Sequence, residues 1–270
     1  MKSIVTKKGK LPGKTVAIFA GIHGNETAGI TILNNLISNL HVVRGTVHLV
    51  FGNPPAILKN IRYVESNLNR SFIKLNNSKT SEQKRATTLM KLLDSCDALL
   101  DLHAYRAGPN IAFPFTICEP RCHKIIAKFN VPFSISNISS FQAGSTNGYM
   151  ELKKKIGIVL ELGAIEKPED YIALGLDCAL SFLSYFNNIK KVPTPRQYST
   201  EYLKVIGVYR KNSKDFKFKK TYQSFDSLKA KEVIAVDGGL TVFTQTRARI
   251  LFPSATDSVG VESFWLLGLT

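Results

Sequence analysis

His23 and Glu26 are the first residues in the chain whose types and spacing could do chemistry. They lie in Gly21-Ile22-His23-Gly24-Asn25-Glu26. An imidazole and a carboxylate three residues apart across a turn can converge on one cation, and zinc suits such nitrogen and oxygen donors. The same six residues also read as a polar turn with Glu26 in a first helical turn, and residue types alone leave both readings open. Asp101 and His103 are two apart in an apolar stretch, so they share one strand face. Glu161 is the one acid in the run Ile156-Gly-Ile-Val-Leu-Glu161-Leu-Gly163. A buried strand penalises an unpaired carboxylate, so this acid is expected beside a partner charge or a metal, as a candidate general base. The alternatives are a strand-end histidine in a loop for His103 and a solvated strand cap for Glu161.

These side chains need elements to bring them together. Residues 15–20 read as a buried strand. Ala28, Ile32, Leu33, Leu36, Ile37 and Leu40 recur at helical spacing. His23 and Glu26 therefore sit where a strand gives way to a helix, the place where open α/β sheets hold ligands. Gly21 and Gly24 permit the tight turn, and Asn25 reads as the helix N-cap. Residues 98–103 form a strand that delivers His103 to the same crevice. Asp101 can fix the tautomer of His103 or of His23. Residues 45–51 read as another strand, stopped by Asn53-Pro54-Pro55, with His48 as a sheet residue inside it. An ordered polar loop is expected over 57–77 and a helix over 81–95. Residues 108–149 read as irregular, pocket-lining loops, and 168–187 as a helix. Cys118, Cys122 and His123 lack a partner pair for a metal site and read as the start of a helix. After the linker Val192-Pro193-Thr194-Pro195 the pattern changes to short β runs at 203–209, 232–236, 240–244 and 249–252, with a turn at Asp237-Gly238-Gly239. The expected division is an α/β domain over 1–195 and a small all-β domain over 196–270.

The composition, 44% hydrophobic and 21% charged, is that of a globular protein rather than a disordered one. The formal net charge is +16, but the lysines are scattered and no nucleic-acid-binding motif accompanies them. A solvated surface is the better reading, and no nucleic-acid partner is expected. No apolar run is long enough to span a bilayer, and residues 1–14 lead into a strand rather than forming a signal peptide. Cys96, Cys118, Cys122 and Cys178 lack disulfide-like spacing, which points to a reducing compartment such as the cytoplasm.

Four blocks in order carry a family resemblance. They are Gly-Ile-His23-Gly-Asn-Glu26; Arg62-Tyr63 with Asn67-Leu68-Asn69-Arg70-Ser71-Phe72; Asp101-Leu102-His103; and Glu161-Leu162-Gly163. Together they resemble the succinylglutamate desuccinylase/aspartoacylase family, within the zinc carboxypeptidase-like superfamily, over most of residues 15–187. The resemblance implies a three-layer α/β/α domain with a mixed sheet, and a C-terminal β domain capping the site. It implies one zinc ion per chain, held by His23, Glu26 and His103, with an open position for water. Glu161 matches the general base that passes a proton from zinc-activated water to the leaving amine. Arg62 matches the arginine that stabilises the oxyanion, and Asn69 and Arg70 match the pair that grips the substrate's α-carboxylate. The implied reaction is hydrolysis of a small anionic N-acyl amino acid to an amino acid and a carboxylate. The alternatives are a zinc carboxypeptidase acting on a short peptide and a non-catalytic basic binding protein. Whether the chain forms a homo-oligomer is left open. An arginine that aspartoacylases carry shortly before the catalytic acid has no counterpart in Gly144-Ser-Thr-Asn-Gly-Tyr149, which leaves Lys153, Lys154 and Lys155 as substitutes to be tested.

Overall fold

The computed structural model describes residues 2–74, 77–105, 111–117, 120–138, 141, 143–192, 198–255 and 258–270. The first part of the chain contributes strands β1 (Ile4–Lys8), β2 (Leu11–Ala20), β3 (Arg44–Phe51), β4 (Ala98–Tyr105), β5 (Phe113–Thr116), β6 (Phe133–Ser136) and β7 (Ile156–Ala164). Between them run helices α1 (Thr27–Asn39), α2 (Pro54–Lys59), α3 (Ser81–Asp94), α4 (Arg121–Ile126), α5 (Thr146–Leu152) and α6 (Ile172–Tyr185). From residue 201 onward the described residues form only strands: β8 (Glu201–Arg210), β9 (Lys217–Phe218), β10 (Ser227–Leu228), β11 (Val233–Asp237), β12 (Leu240–Phe243), β13 (Ala248–Leu251) and β14 (Glu262–Leu269).

Eleven strands form one mixed sheet in the order β1-β3-β2-β4-β7-β5-β6-β8-β14-β13-β10, and β12-β11-β9 form a small antiparallel sheet. The centre is parallel, with β3, β2, β4 and β7 side by side. These strands are buried on both faces, which explains their unbroken apolar runs. One face packs on α1, α4 and α6 through Ile32, Leu33, Ile125, Cys178 and Phe182. The opposite face packs on α3 and α5 through Ala86, Leu89, Leu93 and Met150. The chain is therefore a three-layer α/β/α structure with a mixed sheet and a further small sheet near its C-terminal end. No helix among the described residues is long and apolar enough to cross a membrane.

Several expectations change. Asn25 does not cap α1, because Glu26 occupies the N-cap position and makes no side-chain capping bond. Asn53 does more than stop β3: its side chain caps α2, with proline opening the helix. The region expected to be irregular holds β5, β6, α4 and α5. Proline 114 hid β5, which is only four residues long, and tertiary pairing rather than periodicity holds it in the sheet. Cys122 is disulfide-bonded, against the reading of its spacing, whereas Cys96 and Cys178 are buried free thiols. Cys118, most of the linker at 193–195 and parts of the 139–148 stretch lie outside the described residues.

Candidate active site

The parallel register brings the site together. In β4 and β7, His103 pairs with Glu161 and Asp101 with Val159, so all four project to one face. β2 lies on the other side of β4, with Ala20 level with Leu102. The chain leaving β2 turns at Gly21, whose φ of +67° favours glycine. Gly24 passes so close to the Ala56 backbone that a Cβ there would collide with it. This packing of the turn against α2 sets His23 and Glu26 over the end of β4.

His23, Glu26 and His103 are buried, and their ligand atoms lie within 4.8 Å of one another. This group could hold a metal ion. The Glu26 carboxylate is the hub. Its Oε1 meets His23 Nδ1 at 2.6 Å and Arg62 Nη1 at 3.4 Å, and its Oε2 meets His103 Nδ1 at 3.0 Å. The Ala104 N–H also donates to Oε2 at 3.1 Å. Burial opposes charge on Glu26, but the two histidines hold its carboxyl well below the usual range. Burial also opposes charge on His103, yet Asp101 and Glu26 lift its pKa well above the ordinary imidazole value. His23 goes the other way, because burial outweighs Glu26 and lowers it.

Both histidines are anchored through their outer nitrogen. His103 Nε2 donates to Asp101 Oδ2 at 3.0 Å, and Thr146 donates to the same oxygen at 2.6 Å. His23 Nε2 donates to Asn67 Oδ1 at 3.1 Å. In each ring Nδ1 is thereby turned toward Glu26 and the shared centre. The open choice for Asp101 resolves to His103. Asn67 had no role assigned from sequence, although it stands two residues before Asn69.

Glu161 Oε2 is buried, with no hydrogen-bond partner among the described residues. Burial, with further push from Glu26 and Asp101, raises the Glu161 carboxyl to about 7 against the pull of His103 and Arg62. Such a carboxyl can take and release a proton near neutrality. Asn69 is buried, and its Oδ1 accepts from the Thr146 N–H at 3.1 Å. Arg70 donates to the Asn69 carbonyl at 2.8 Å.

All seven residues singled out from sequence (His23, Glu26, Arg62, Asn69, Arg70, His103 and Glu161) line one cavity of about 770 Å³. The lysines do not. Lys153 pairs with Asp94 at 2.8 Å and Lys155 donates to backbone carbonyls of Leu93 and Asp94, at the end of α3. The third guanidinium on the cavity wall is instead Arg210, from β8. Tyr105, Phe115, Phe252 and Trp265 complete the wall. Their sequence context, scattered aromatics in β runs and loops, carried no signal.

Residues 12–173 match the succinylglutamate desuccinylase/aspartoacylase catalytic domain. A probable aspartoacylase of Prochlorococcus marinus is 26% identical over 163 residues, covering 56% of this chain and 54% of that protein. A succinylglutamate desuccinylase of Yersinia pseudotuberculosis is 43% identical over 82 residues, covering 28% of this chain and 25% of that protein. The matched stretches thus span from a quarter to about half of these relatives' lengths. The solved structure of succinylglutamate desuccinylase from Vibrio cholerae superposes with a TM-score of 0.82 at 19% identity, over 99% of this chain and 86% of that one. A succinylglutamate desuccinylase/aspartoacylase from Rhodobacter sphaeroides gives 0.80 at 18% identity, over 99% and 88%. With more than half of its length matched by the catalytic domain, the chain belongs to the succinylglutamate desuccinylase/aspartoacylase family.

Proposed function

We propose that the protein is a zinc-dependent amidohydrolase that cleaves an N-acyl amino acid into a free amino acid and a carboxylate. The supporting observation is the convergence of His23, Glu26 and His103 in one cavity with Glu161, whose buried Oε2 has no hydrogen-bond partner among the described residues. Deacylation is also what the names of the matched relatives denote. The two imidazoles and the carboxylate suit zinc in donor type and number, and the outer anchors Asn67 and Asp101 suit a metal site. A zinc ion held there supplies Lewis acidity to a water and to the scissile carbonyl.

The chain's own groups do the rest. Glu161 takes a proton from the attacking water and delivers it to the amine nitrogen as the C–N bond breaks. Arg62, beside Glu26 at the cavity mouth, supplies the positive charge that stabilises the developing oxyanion. Arg70 presents its planar guanidinium to the α-carboxylate, with Asn69 held beside it by the N–H of Thr146. The β strands after residue 196 close the far side of the cavity through Arg210, Phe252 and Trp265, and we assign them as a covering unit.

Elemental analysis on protein prepared without chelator tests the metal. About one zinc per chain is expected, and none in Glu26→Ala. Glu161→Gln should keep its zinc and lose hydrolysis by at least ~100-fold, the range of a general base. A wild-type protein that takes up no zinc on addition would overturn the reading.

A further inference from the structure

Thr146 is fully buried, and its two donors reach different functional groups. Its hydroxyl donates to Asp101 Oδ2 at 2.6 Å, and its N–H donates to Asn69 Oδ1 at 3.1 Å. Asp101 anchors His103, and Asn69 lines the cavity beside Arg70. One residue therefore touches the anchor of a candidate metal ligand with its side chain and a candidate substrate donor with its backbone.

The local chain explains why both donors are free for this. Ser145 is the N-cap of α5, and its side chain accepts from the Gly148 N–H. Thr146 is then the first helical residue, and the first N–H groups of a helix have no partner within it. At so buried a position the N–H needs an acceptor from the protein, and Asn69 supplies it. Just upstream, the Gly144 carbonyl accepts from the Phe72 N–H at 3.0 Å. A Cβ at Gly144 would collide with the Arg70 carbonyl. Residues 144–146 thus pack against the loop of Asn69 and Arg70 while also reaching Asp101.

Each contact has a specific consequence. The hydroxyl contact is short and charge-assisted. Asp101 Oδ2 takes both His103 and Thr146, while its buried Oδ1 takes no donor among the described residues. Without the Thr146 hydroxyl, this buried carboxylate would rest on His103 alone. The backbone contact sets direction. An N–H can only donate, so it fixes the oxygen end of the Asn69 amide and leaves the N–H2 end as the group that Asn69 offers. A carboxylate can only accept, so that end is the one it needs.

We propose that Thr146 is a positioning residue that sets the offset between the zinc site and the substrate's carboxylate, its hydroxyl steadying Asp101 and His103 and its N–H aiming Asn69. The proposal rests on the deacylase reading for what the two ends bind. The offset matters because a single substrate must meet both ends at once.

The test compares three variants. Thr146→Ser keeps both donors, Thr146→Val keeps the branched shape without the hydroxyl, and Thr146→Pro removes both donors. Proline suits the first position of a helix, and the extended backbone of Ser145 accommodates a following proline. Zinc affinity, read by chelator competition, should fall about tenfold in the valine and proline variants and stay within about twofold of wild type in the serine variant. On zinc-loaded protein, kcat/KM for the better of N-acetylaspartate and N-succinylglutamate should be about tenfold lower in the proline than in the valine variant, mostly through KM.

A valine variant that binds zinc like wild type, or a serine variant as weak as the valine one, would overturn the proposal. Equal kcat/KM in the valine and proline variants would overturn its substrate half, and with it the shared role. Circular dichroism checks the fold of each variant, and the serine and valine pair decides the metal half without the proline variant. Zinc competition needs no catalysis. Wild-type protein that binds zinc but hydrolyses neither compound would count against the deacylase reading, and the serine and valine affinities would still decide the role of the Thr146 hydroxyl.

Discussion

Each histidine of the site fixes one ring nitrogen on an anchoring oxygen and turns the other toward Glu26. The two anchors differ in kind. Asn67 is neutral and holds His23, whereas Asp101 is a buried carboxylate and holds His103. The charged anchor makes the imidazole a stronger electron donor, in keeping with the raised pKa of His103. Asp101→Asn removes that charge and keeps the shape, and its one carbonyl oxygen can still accept from both His103 and Thr146, which share a single oxygen of Asp101, so the variant isolates the charge. The expected result is zinc bound about 10- to 100-fold more weakly, measured by competition against a chelator, with the circular dichroism spectrum unchanged. Unchanged affinity would show that Asp101 positions the strand and not the ligand. The residues that bear these roles were legible to different degrees. Asp101 and His103 could be paired from their spacing of two. Asn67 could not be paired with His23, because the two lie 44 residues apart and meet only through the fold.

At the scale of elements, the loop between α2 and α3 carries Arg62, Asn67, Asn69 and Arg70, and little regular structure supports it beyond a three-residue 3-10 turn at Leu68–Arg70. Its support is Glu82, in the first turn of α3. This buried carboxylate accepts from the N–H groups of Val64, Glu65 and Ser66 and from the Asn53 amide. The capping box of Thr80 and Gln83 fixes where α3 begins, and so where Glu82 points. Burial opposes the charge of Glu82, but the Val64 N–H, the Asn53 amide and the neighbouring donors prevail and hold its carboxyl below its ordinary value. A depressed carboxylate stabilises the fold above the ordinary glutamate range and loses that contribution as pH falls through the lowered value. Glu82→Gln turns an N–H donor toward those backbone donors and should cost about 2 kcal/mol at pH 7, measured by urea unfolding. The deficit should shrink below about pH 4. KM should rise in the variant, since the loop that carries Arg62, Asn69 and Arg70 to the cavity loosens. A constant deficit across pH would exclude the charge as its source. The same logic explains which elements could be read in advance. β2, β4 and β7 are long apolar runs, and α3 and α6 have apolar periodicity. β5, β6 and α2 are short and stand on partners far away in sequence, so no local pattern marks them.

At the scale of the molecule, four of the strands that follow residue 200, β8, β14, β13 and β10, continue the central sheet, because β8 pairs in parallel with β6. A change of texture in the sequence suggested a separate unit and did not reveal this shared sheet, since edge pairing between distant four-residue segments has no local signature. The continuity matters to the site: β8 and β14 bring Arg210 and Trp265 to the cavity as fixed parts of the scaffold. It also sets the cavity's three arginines within a molecule of net charge +16. The summed field of so basic a molecule draws small anions toward the concavity where Arg62, Arg70 and Arg210 gather. Such capture weakens as salt shortens the screening length from about 30 Å at 0.01 M to about 8 Å at 0.15 M. For an anionic substrate, kcat/KM should therefore fall several-fold over that range while kcat stays nearly level, because kcat is read after capture. The same compound with its α-carboxylate converted to an amide should show no such fall. A salt-independent kcat/KM for the anion would mean that the positive charge serves solvation alone and that recognition rests wholly on contacts inside the cavity.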